Sequence, residues 1–458
     1  MKGPSESALL TDLYQLTMLQ AYWQHRMDDI AVFELFVRKL PPDRAFLVAA
    51  GLEQALDFIE QARFDAEELG WVTRCGTFAP GFADWLRELR FTGNVWAMPE
   101  GTVFFPNEPI VRVVAPIAEA QWLETRILNL VHFQTVIASK AARVTLAAEG
   151  RPLIDFGLRR AHGAEAGVLA ARAAYVAGFA GTATAYAGPR FGIPVFGTMA
   201  HSFVQAHDDE AQAFEHFAES FPANAMLLID TYDTVEGARR VAEIAPRLAQ
   251  RGIRIKGVRL DSGDLDALSR AVRRVLNEAG LYDAVIFASG NLDEQRVHAL
   301  VAGGAPITSF GVGTSLTTSS DAPYLDAVYK LQEYAGQARR KRSSGKATWP
   351  GRKQVFRQLD ASGHCIGDTV TLTTETFPGE PLLVEVVRGG RRVVPSPPLA
   401  VVRAHCAAQL ATLPPALRRL DPPWPSTPVT ISPAIRALAD DIDRRQAGAP
   451  AACSLMEE

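Results

Sequence analysis

The chain contains few cysteines and no marked excess of either charge. Its 458 residues include four cysteines, Cys75, Cys365, Cys406 and Cys453, which lie far apart and form no CxxC pair. This spacing disfavours both a disulfide framework and a structural zinc site, and it fits a reducing cytoplasm. Because the formal net charge is only -4 at pH 7, we expect no nucleic acid and no anionic membrane surface among the partners.

Long apolar runs are also missing. Arg, Asp or Glu interrupts every apolar stretch well before the roughly 18 residues that a membrane span requires. The N-terminal segment MKGPSESALLTDLYQL has no apolar core followed by a small-residue cleavage site. We therefore predict a cytoplasmic protein that is neither exported nor embedded in a membrane.

The length exceeds that of one ordinary hydrophobic core, which predicts two or three domains. A helical stretch, a strand and a β meander punctuated by Pro and Gly indicate an N-terminal α+β domain over residues 1–118. Residues 119–325 open with a long helix and continue as repeated βα units, which predict a barrel-like catalytic domain. After Pro323 the repeat stops, and we predict a small C-terminal α+β region over residues 326–458.

From residue 150 the sequence repeats one unit: a short apolar strand, a loop rich in Gly, Ser, Thr or Asp, and an amphipathic helix. The spacing allows one strand and one crossover helix of a parallel sheet in each unit. Six consecutive units without an evident change of order favour a barrel or a barrel-like sheet. The predicted strand ends lie near Phe156, Phe196, Asp230, Leu260, Ser289 and Phe310.

Polar residues are concentrated at or just after these strand ends. In βα barrels this rim carries the active site, because every strand delivers its next loop to the same face. The residues concerned are Asp155, Arg159, Thr198, His201, Asp230, Arg259, Asp261, Ser289, Gly311 and Gly313.

One histidine at this rim follows a strand end in the stretch FGIPVFGTMAHSFV, residues 191–204. Gly197 breaks the strand, and the hydroxyls of Thr198 and Ser202 flank His201. This composition favours a turn that holds a phosphate or another anion, with His201 as acid, base or nucleophile. The alternatives are a loop histidine with satisfied hydrogen bonds and a metal ligand.

Three further loops have the composition of phosphate or ribose sites. The loops Gly311 to Ser315 and Ser289 to Asn291 follow consecutive strands and can present backbone N–H groups without obstruction by a Cβ atom. The third, Arg259 to Asp264, combines a cation for an anionic substrate group with carboxylates suited to Mg²⁺ or ribose hydroxyls. Its plainer interpretation, a strand followed by a helix that Asp264 caps, leaves Arg259 and Asp261 unexplained.

Eight motifs, in order along the chain from about residue 9 to 360, resemble those of the nicotinate phosphoribosyltransferase family. They are TDLYQLTM (11–18), FELFVRKLP (33–41), DFGLRRAHG (155–163), GTMAHSFV (197–204), LLIDTYDT (227–234), GVRLDSGDL (257–265), GVGTSL (311–316) and PGRKQVFR (350–357).

The resemblance implies a type II phosphoribosyltransferase architecture and an enzyme of NAD salvage. Such an enzyme joins nicotinate to 5-phosphoribosyl 1-diphosphate, with Mg²⁺ as cofactor and with ATP hydrolysis coupled through a phosphohistidine. It further implies a homodimer, because Tyr14 usually comes from the neighbouring subunit. The implied catalytic residues are His201, Asp230 and Asp261, with Asp261 a possible Mg²⁺ ligand; the implied substrate contacts are Tyr14, Phe156, Arg159, Thr198 and Arg259; and the implied phosphate contacts are Ser289, Gly290, Asn291, Gly311, Gly313 and Thr314.

One residue departs from the family pattern, because SGNLDE stands where SGDLDE is more typical. Asn291 thereby weakens any role that needs a carboxylate at this position, although an amide still binds hydroxyl groups.

Other functions remain open at this point. Nicotinamide phosphoribosyltransferase shares the His, Arg and DSG pattern. A metal-dependent barrel hydrolase would use His201, His207 and Asp208, but a paired-histidine motif on an early strand is missing. A binding protein without activity would not need a nucleophilic histidine beside two phosphate loops.

We expect the residue at position 183, an alanine here, to discriminate between nicotinate and nicotinamide as substrate. In the sister nicotinamide enzymes the corresponding stretch resembles GTDT, whose Asp accepts a hydrogen bond from the substrate amide, whereas this chain reads Gly181-Thr182-Ala183-Thr184. Alanine cannot accept that bond, and its neutral side chain does not repel a carboxylate. We therefore expect nicotinate to be preferred, unless Ala183 is merely a packing residue.

Overall fold

The computed structural model describes residues 7–425 and 429–448, so Cys453 lies outside the described residues. The helices are α1 Leu13–Gln24, α2 Leu52–Gln61, α3 Ala66–Arg74, α4 Phe82–Glu88, α5 Ile117–Trp122, α6 Glu124–Ala147, α7 Ala164–Val176, α8 Ala187–Phe191, α9 His201–Gln205, α10 Glu210–Ser220, α11 Thr234–Gln250, α12 Leu265–Glu278, α13 Glu294–Ala302, α14 Thr314–Thr317, α15 Leu399–Thr412 and α16 Pro433–Gly448. Short 3₁₀ turns occur at Leu158–Arg160 and Pro222–Asn224. None of the described helices is long and apolar enough to cross a membrane.

The strands are β1 Ile30–Val37, β2 Leu47–Val48, β3 Asn94–Ala97, β4 Val103–Phe104, β5 Pro109–Pro116, β6 Leu153–Asp155, β7 Gly181–Thr182, β8 Ala225–Leu228, β9 Ile255–Leu260, β10 Val285–Ala288, β11 Ser309–Val312, β12 Ala327–Tyr334, β13 Gln337–Ala338, β14 Lys353–Leu359, β15 Cys365–Leu372, β16 Glu380–Pro381, β17 Val384–Arg388, β18 Arg391–Arg392 and β19 Val429–Ile431.

The described residues fall into two compact units. Unit 1 takes those within Met1–Thr135, Tyr324–Arg419 and Pro423–Glu458, and unit 2 takes Val136–Pro323 with Leu420–Pro422. The three-domain division at residues 118 and 325 stays a prediction.

Unit 1 is built on a seven-stranded sheet in the order β13-β12-β1-β5-β3-β17-β18. A four-stranded sheet, β16-β14-β15-β19, and the pair β2-β4 belong to the same unit. Strand β1 is buried from Ala31 to Val37, and its one charged residue, Glu34, is paired in the interior with the Lys353 ammonium group at 2.8 Å. Burying a charge is costly unless it is paired in this way.

Unit 2 contains a six-stranded parallel sheet in the order β7-β6-β11-β10-β9-β8. Apart from one gap, the strands follow one another in the order of a closed barrel. The gap lies between the two edges of the sheet: β8 forms one edge, and a single bridge between Thr182 and Val195 extends the other edge at β7. The prediction of a barrel-like parallel βα sheet is thus confirmed. The carboxyl ends of its strands lie along one edge of the sheet.

The repeat of strand and helix was predicted well where the hydrophobic period is strong. Helix α12 buries Leu265, Val272 and Leu276 on one face, and the Asp264 side chain accepts a hydrogen bond from the Ala267 amide at its N-terminus. Gly280 ends the helix region with φ +75°, a conformation that glycine adopts without penalty.

Strand β7 was not predicted, because two residues carry no periodic signal. Gly181 is required there by packing rather than by its φ angle. A Cβ atom on Gly181 would lie 2.2 Å from the Pro194 carbonyl oxygen and 2.6 Å from the Phe196 ring. The close approach of this backbone to residues 194–196 takes the place of the full strand that the sequence indicated near Phe196.

Candidate active site

The centre of the candidate site is Arg259 at the end of β9. Its Nε donates to Ser289 Oγ at 2.9 Å, its first terminal nitrogen donates to Thr198 Oγ1 at 3.2 Å, and its second donates to Asp261 Oδ1 at 2.7 Å. The guanidinium carbon lies 5.0 Å from the centre of the Phe156 ring, within cation–π range. The planar fork of donors therefore joins three loops of unit 2 at one point.

Asp261 is held as a carboxylate by its neighbours. Burial opposes its ionisation, but the hydrogen bond from Ser289 Oγ at 2.5 Å, the charge of Arg259 and the proximity of His201 outweigh burial and lower the pKa of Asp261 below its ordinary value of 3.8. An acid with a depressed pKa stays ionised at neutral pH. The site thus contains a fixed negative charge beside a fixed positive one.

His201 begins α9 and is partly exposed. Its Nδ1 is hydrogen-bonded to Thr231 Oγ1 at 3.1 Å, and its Nε2 lies 3.9 Å from Asp261 Oδ2. The hydroxyl of Thr231 holds Nδ1, whereas Nε2 faces the Asp261 carboxylate beyond hydrogen-bond distance. This arrangement leaves an imidazole that can act on a bound group.

Asp230 follows β8 and organises the loop that carries Asp261. Its Oδ2 accepts hydrogen bonds from the Asp261 amide at 2.8 Å and from Ser262 Oγ at 2.7 Å. Its Oδ1 is buried, and among the described residues no group donates to it. A buried carboxylate oxygen without a partner is costly unless a ligand or a water satisfies it.

Phe156 follows β6 and supplies an aromatic face. Its ring centre lies 5.5 Å from that of Phe287. A Cβ atom on Gly311 would lie 2.9 Å from each of these rings, and one on Gly313 would lie 3.1 Å from the Phe156 carbonyl oxygen. The two glycines therefore let β11 and its following loop pass close to the aromatic pair.

The two loops predicted to bind phosphate contact each other. Ser315 Oγ donates to the carbonyl of Leu292, which joins the loop after β11 to the loop after β10. Gly290 has φ +95°, and a Cβ atom there would lie 1.8 Å from the Asp261 carbonyl oxygen, so only glycine fits. Asn291 has φ +50°, a conformation that asparagine tolerates better than most residues.

The rim encloses a cavity of about 350 Å³, within the range of small-molecule sites. The residues that line it are Phe156, Leu158, Arg159, Ala183, Gly197, Thr198, Met199, Ala200, His201, Leu228, Arg259 and Asp261. Of the predicted site residues, the structure thus brings six to this cavity. Ser289 and Asp230 lie behind its wall through their hydrogen bonds to Arg259 and to the Asp261 loop.

Other predicted residues lie elsewhere. Gly290, Asn291, Gly311, Gly313 and Thr314 belong to the neighbouring loops and do not line the cavity. Tyr14 lies on α1 in unit 1, with 48% of its surface exposed. Its predicted role at a shared site therefore stays a prediction.

Sequence reasoning missed the residues that orient the predicted ones. Thr231 fixes His201, and its only signal was its position directly after Asp230. Thr182 Oγ1 donates to Asp155 Oδ2 at 2.7 Å, while the Gly157 amide donates to Oδ1 at 2.8 Å. Burial nevertheless raises the pKa of Asp155 above its ordinary value, although these two hydrogen bonds oppose the rise.

The arrangement does not support the barrel hydrolase. His207 is hydrogen-bonded to the Phe203 carbonyl through Nδ1 and to His216 through Nε2. Within residues 7–425 and 429–448, no three His, Cys, Asp or Glu side chains form a group that could hold a metal ion. His201, His207 and Asp208 therefore do not converge.

Three family models match the chain. They are the nicotinate phosphoribosyltransferase (NAPRTase) N-terminal domain over residues 9–132, the NAPRTase family over residues 152–345 and the nicotinate phosphoribosyltransferase C-terminal domain over residues 375–439.

Similar curated proteins carry the same description. The chain is 54% identical over 426 residues to a nicotinate phosphoribosyltransferase of Mycobacterium tuberculosis, and the matched region covers 93% of this chain and 91% of the relative. It is 43% identical to nicotinate phosphoribosyltransferase of Bacillus subtilis, over 80% of this chain and 76% of the relative. The crystal structure of human nicotinic acid phosphoribosyltransferase is similar with a TM-score of 0.85 and 31% identity, over 94% of this chain and 99% of that one.

Proposed function

The chain belongs to the nicotinate phosphoribosyltransferase family, and from this premise we propose that it joins nicotinate to 5-phosphoribosyl 1-diphosphate in NAD biosynthesis. The products are nicotinate mononucleotide and diphosphate. We further propose that the reaction is coupled to ATP hydrolysis through a phosphorylated His201.

The observation that carries the proposal is the placement of Arg259 against Phe156 at the wall of the cavity. Nicotinate is a flat aromatic ring with a carboxylate. The Phe156 ring offers a stacking face, and the guanidinium of Arg259 offers donors matched to a carboxylate. Thr198 and Ala183 also line the cavity and complete a small pocket without an acidic group at position 183.

His201 supplies the nitrogen for the phosphoryl step. A lone pair on the imidazole attacks the γ-phosphorus of ATP, a P–N bond forms, and ADP leaves with the electrons of the broken P–O bond. The hydrogen bond of Thr231 supports this role, because it fixes Nδ1 and leaves Nε2 beside Asp261 at 3.9 Å without a hydrogen bond among the described residues. Water later takes the phosphoryl group from the histidine.

Mg²⁺ is part of the proposal because both phosphate substrates bind it in solution. Asp230 keeps one buried oxygen without a donor, but no preformed group of three ligands exists within the described ranges. Mg²⁺ usually binds through one or two carboxylates and the substrate phosphates. Asp230 and Asp261 would therefore hold the ion together with the diphosphate, and the ion would neutralise the negative charge of the diphosphate.

Product analysis tests the function. The purified chain receives 5-phosphoribosyl 1-diphosphate with either nicotinate or nicotinamide, with and without ATP. We expect nicotinate mononucleotide as the main product and faster synthesis with ATP. Preferential formation of nicotinamide mononucleotide would assign the chain to the amide instead.

Labelling with [γ-³²P]ATP tests the phosphohistidine. We expect an acid-labile, base-stable phosphoprotein that His201→Ala abolishes. His298→Ala is the matched control, because His298 is an exposed histidine on α13 that does not line the cavity. Equal labelling of His201→Ala and the parent would reject the assignment. Slow synthesis without ATP is expected to survive in His201→Ala, since Arg259 still positions the substrate.

We also propose a homodimer in which Tyr14 of one protomer completes the site of the other. The support is the exposure of Tyr14 on a unit that does not contain the cavity. Mixing Tyr14→Ala with His201→Ala, each of which lacks ATP-coupled synthesis, should restore part of the ATP-coupled activity through hybrid sites. A fully active monomer would contradict the proposal.

The reaction is proposed to take place in the cytoplasm, where its phosphorylated substrates are available. The free thiols of Cys75, Cys365 and Cys406 support a reducing compartment. Fractionation of the source cells with antibody detection tests this, and recovery outside the cytoplasmic fraction would contradict it.

A further inference from the structure

Unit 1 contains a second cavity, of about 600 Å³, that no step of the proposed reaction uses. It lies between the β12–β13 turn, the end of β15 and helix α16. The motif PGRKQVFR contributes Gly351 and Arg352 to its wall. Its size is within the range of small-molecule sites and exceeds that of the candidate active site.

The cavity is positively charged. Three arginines, Arg339, Arg352 and Arg445, line it together with one carboxylate, Glu333. Arg352 is neutralised by Glu333, since its Nε donates at 3.1 Å and its terminal nitrogen at 2.6 Å. Arg445 is paired through one terminal nitrogen with Asp441 on the same helix, and this pair leaves the other N–H groups of its guanidinium for a ligand. Cations in such a wall attract phosphate or carboxylate groups.

Arg339 is the arginine of this cavity wall that no carboxylate among the described residues neutralises. It follows β13 and is exposed, and its guanidinium makes no hydrogen bond or ion pair within residues 7–425 and 429–448. Its backbone is nevertheless fixed, because the Arg339 amide donates to the Gln332 carbonyl at 2.8 Å. A guanidinium on a fixed backbone loses less freedom on binding than one on a mobile loop.

The other end of the cavity is apolar. Leu372 from β15 and Leu438 and Ile442 from α16 form its floor. Gly351, with φ +82°, packs directly against this floor, because a Cβ atom there would lie 2.8 Å from Leu372 and 3.2 Å from Leu438. The three aliphatic side chains offer an apolar surface to one face of a flat ring.

Two amides complete the wall, Gln337 on β13 and Gln446 on α16. Gln337 offers a carbonyl acceptor and an N–H₂ donor, whereas the Gln446 carbonyl already accepts from Arg342 at 3.5 Å, so Gln446 offers its N–H₂ group and its second lone pair. Such a pair matches the donors and acceptors along the edge of a nucleobase. The cavity thus offers an apolar floor, amides at its wall and cations at its rim.

We propose that this cavity binds a mononucleotide, with the base on the leucine and isoleucine floor and the phosphate on Arg339 and Arg445. An inorganic anion would leave the floor and the amides unused, and an uncharged base would leave the arginines unused. The site is separate from the catalytic cavity and does not depend on the proposed function.

Calorimetric titration of the full chain with AMP tests the site, with adenosine and inorganic phosphate as partial probes. AMP is expected to bind more tightly than either part. Arg339→Ala and Arg445→Ala should each weaken AMP about tenfold or more, because each removes a charge-assisted hydrogen bond. Both side chains are exposed, so folding should survive. Arg444→Ala is the matched control, since Arg444 is the next exposed arginine on α16 and does not line the cavity.

Arg259→Ala separates this site from the catalytic one. The proposal expects AMP binding that persists in Arg259→Ala and is lost in the Arg339→Ala, Arg445→Ala pair. Loss of AMP binding in Arg259→Ala alone would place the nucleotide in the catalytic cavity and overturn the proposal. Equal affinity for AMP and inorganic phosphate, or no binding of AMP at millimolar concentration, would also overturn it.

Discussion

Replacing Arg259 by lysine tests the central contact of the candidate site while keeping its positive charge. The guanidinium makes three hydrogen bonds, at 2.9, 3.2 and 2.7 Å, to Ser289, Thr198 and Asp261. A lysine ammonium group is a point charge and cannot present the same planar fork. The variant therefore retains the attraction for an anion but loses the geometry that receives a carboxylate.

The expected magnitude follows from one lost charge-assisted hydrogen bond to the substrate carboxylate. Such a bond contributes about 1.5–3 kcal/mol, which corresponds to a roughly 10- to 150-fold fall in kcat/KM for nicotinate. Nicotinamide has no carboxylate, so its kcat/KM should fall less. The preference for the acid should decrease by about the difference.

The assay compares kcat/KM for both substrates in the parent, in Arg259→Lys and in Arg254→Lys. Arg254 is the matched control, because it is an exposed arginine just before the opposite end of the same strand. Thermal unfolding checks that all three proteins fold equally well. An equal loss on nicotinate and nicotinamide would refute the assignment of Arg259 to the substrate carboxylate.

Arg259 also controls the charge of Asp261. Burial opposes the ionisation of Asp261, and Ser289 and Arg259 overcome it. In Arg259→Ala the pKa of Asp261 should therefore rise, and the acidic limb of the pH–rate profile should move to higher pH. In the parent, the stability that the depressed pKa of Asp261 contributes is present above its ordinary value of 3.8 and is lost as the pH falls further.

Three further outcomes are expected. Ala183→Asp should lower kcat/KM for nicotinate about tenfold or more and kcat/KM for nicotinamide much less, because Ala183 lines the cavity and the new carboxylate would repel the nicotinate carboxylate. Equal losses on both substrates would show that position 183 does not sense the charge of the substrate. Lys140→Met should reduce the free energy of unfolding by about 3–5 kcal/mol, since the buried Glu294 loses a partner. Denaturant titration measures this, and an unchanged midpoint of the unfolding transition would contradict it. Burial raises the pKa of Glu210 from 4.5 to about 7. The stability that the protonated Glu210 contributes is therefore full below pH 4.5 and is lost as the pH rises through about 7. Glu210→Gln should remove this pH dependence of Tm, and an identical pH dependence in both proteins would contradict the assignment.

Several features of this protein followed from its sequence alone. The hydrophobic period of α12, its Asp264 cap and its terminal Gly280 are local signals, and the structure has them at those residues. The repeated βα units predicted a barrel-like parallel sheet because each unit has the length of a strand and a crossover helix. Arg259 and Asp261 were singled out as site residues because both stand at one strand end, and the structure adds that they form an ion pair with each other.

Only the tertiary structure decided which distant residues meet. Arg259 contacts Ser289 across 30 positions and Thr198 across 61, and neither contact has a periodic signal, because it depends on the order and register of the strands. Strand β7 forms because Gly181 lets the backbone at Pro194 approach. The cavity of unit 1 likewise needs Arg339 and Arg445, more than a hundred positions apart, to be brought together by the packing of α16. Local patterns determine elements and their faces, whereas sites arise from the packing of loops that carry no pattern of their own.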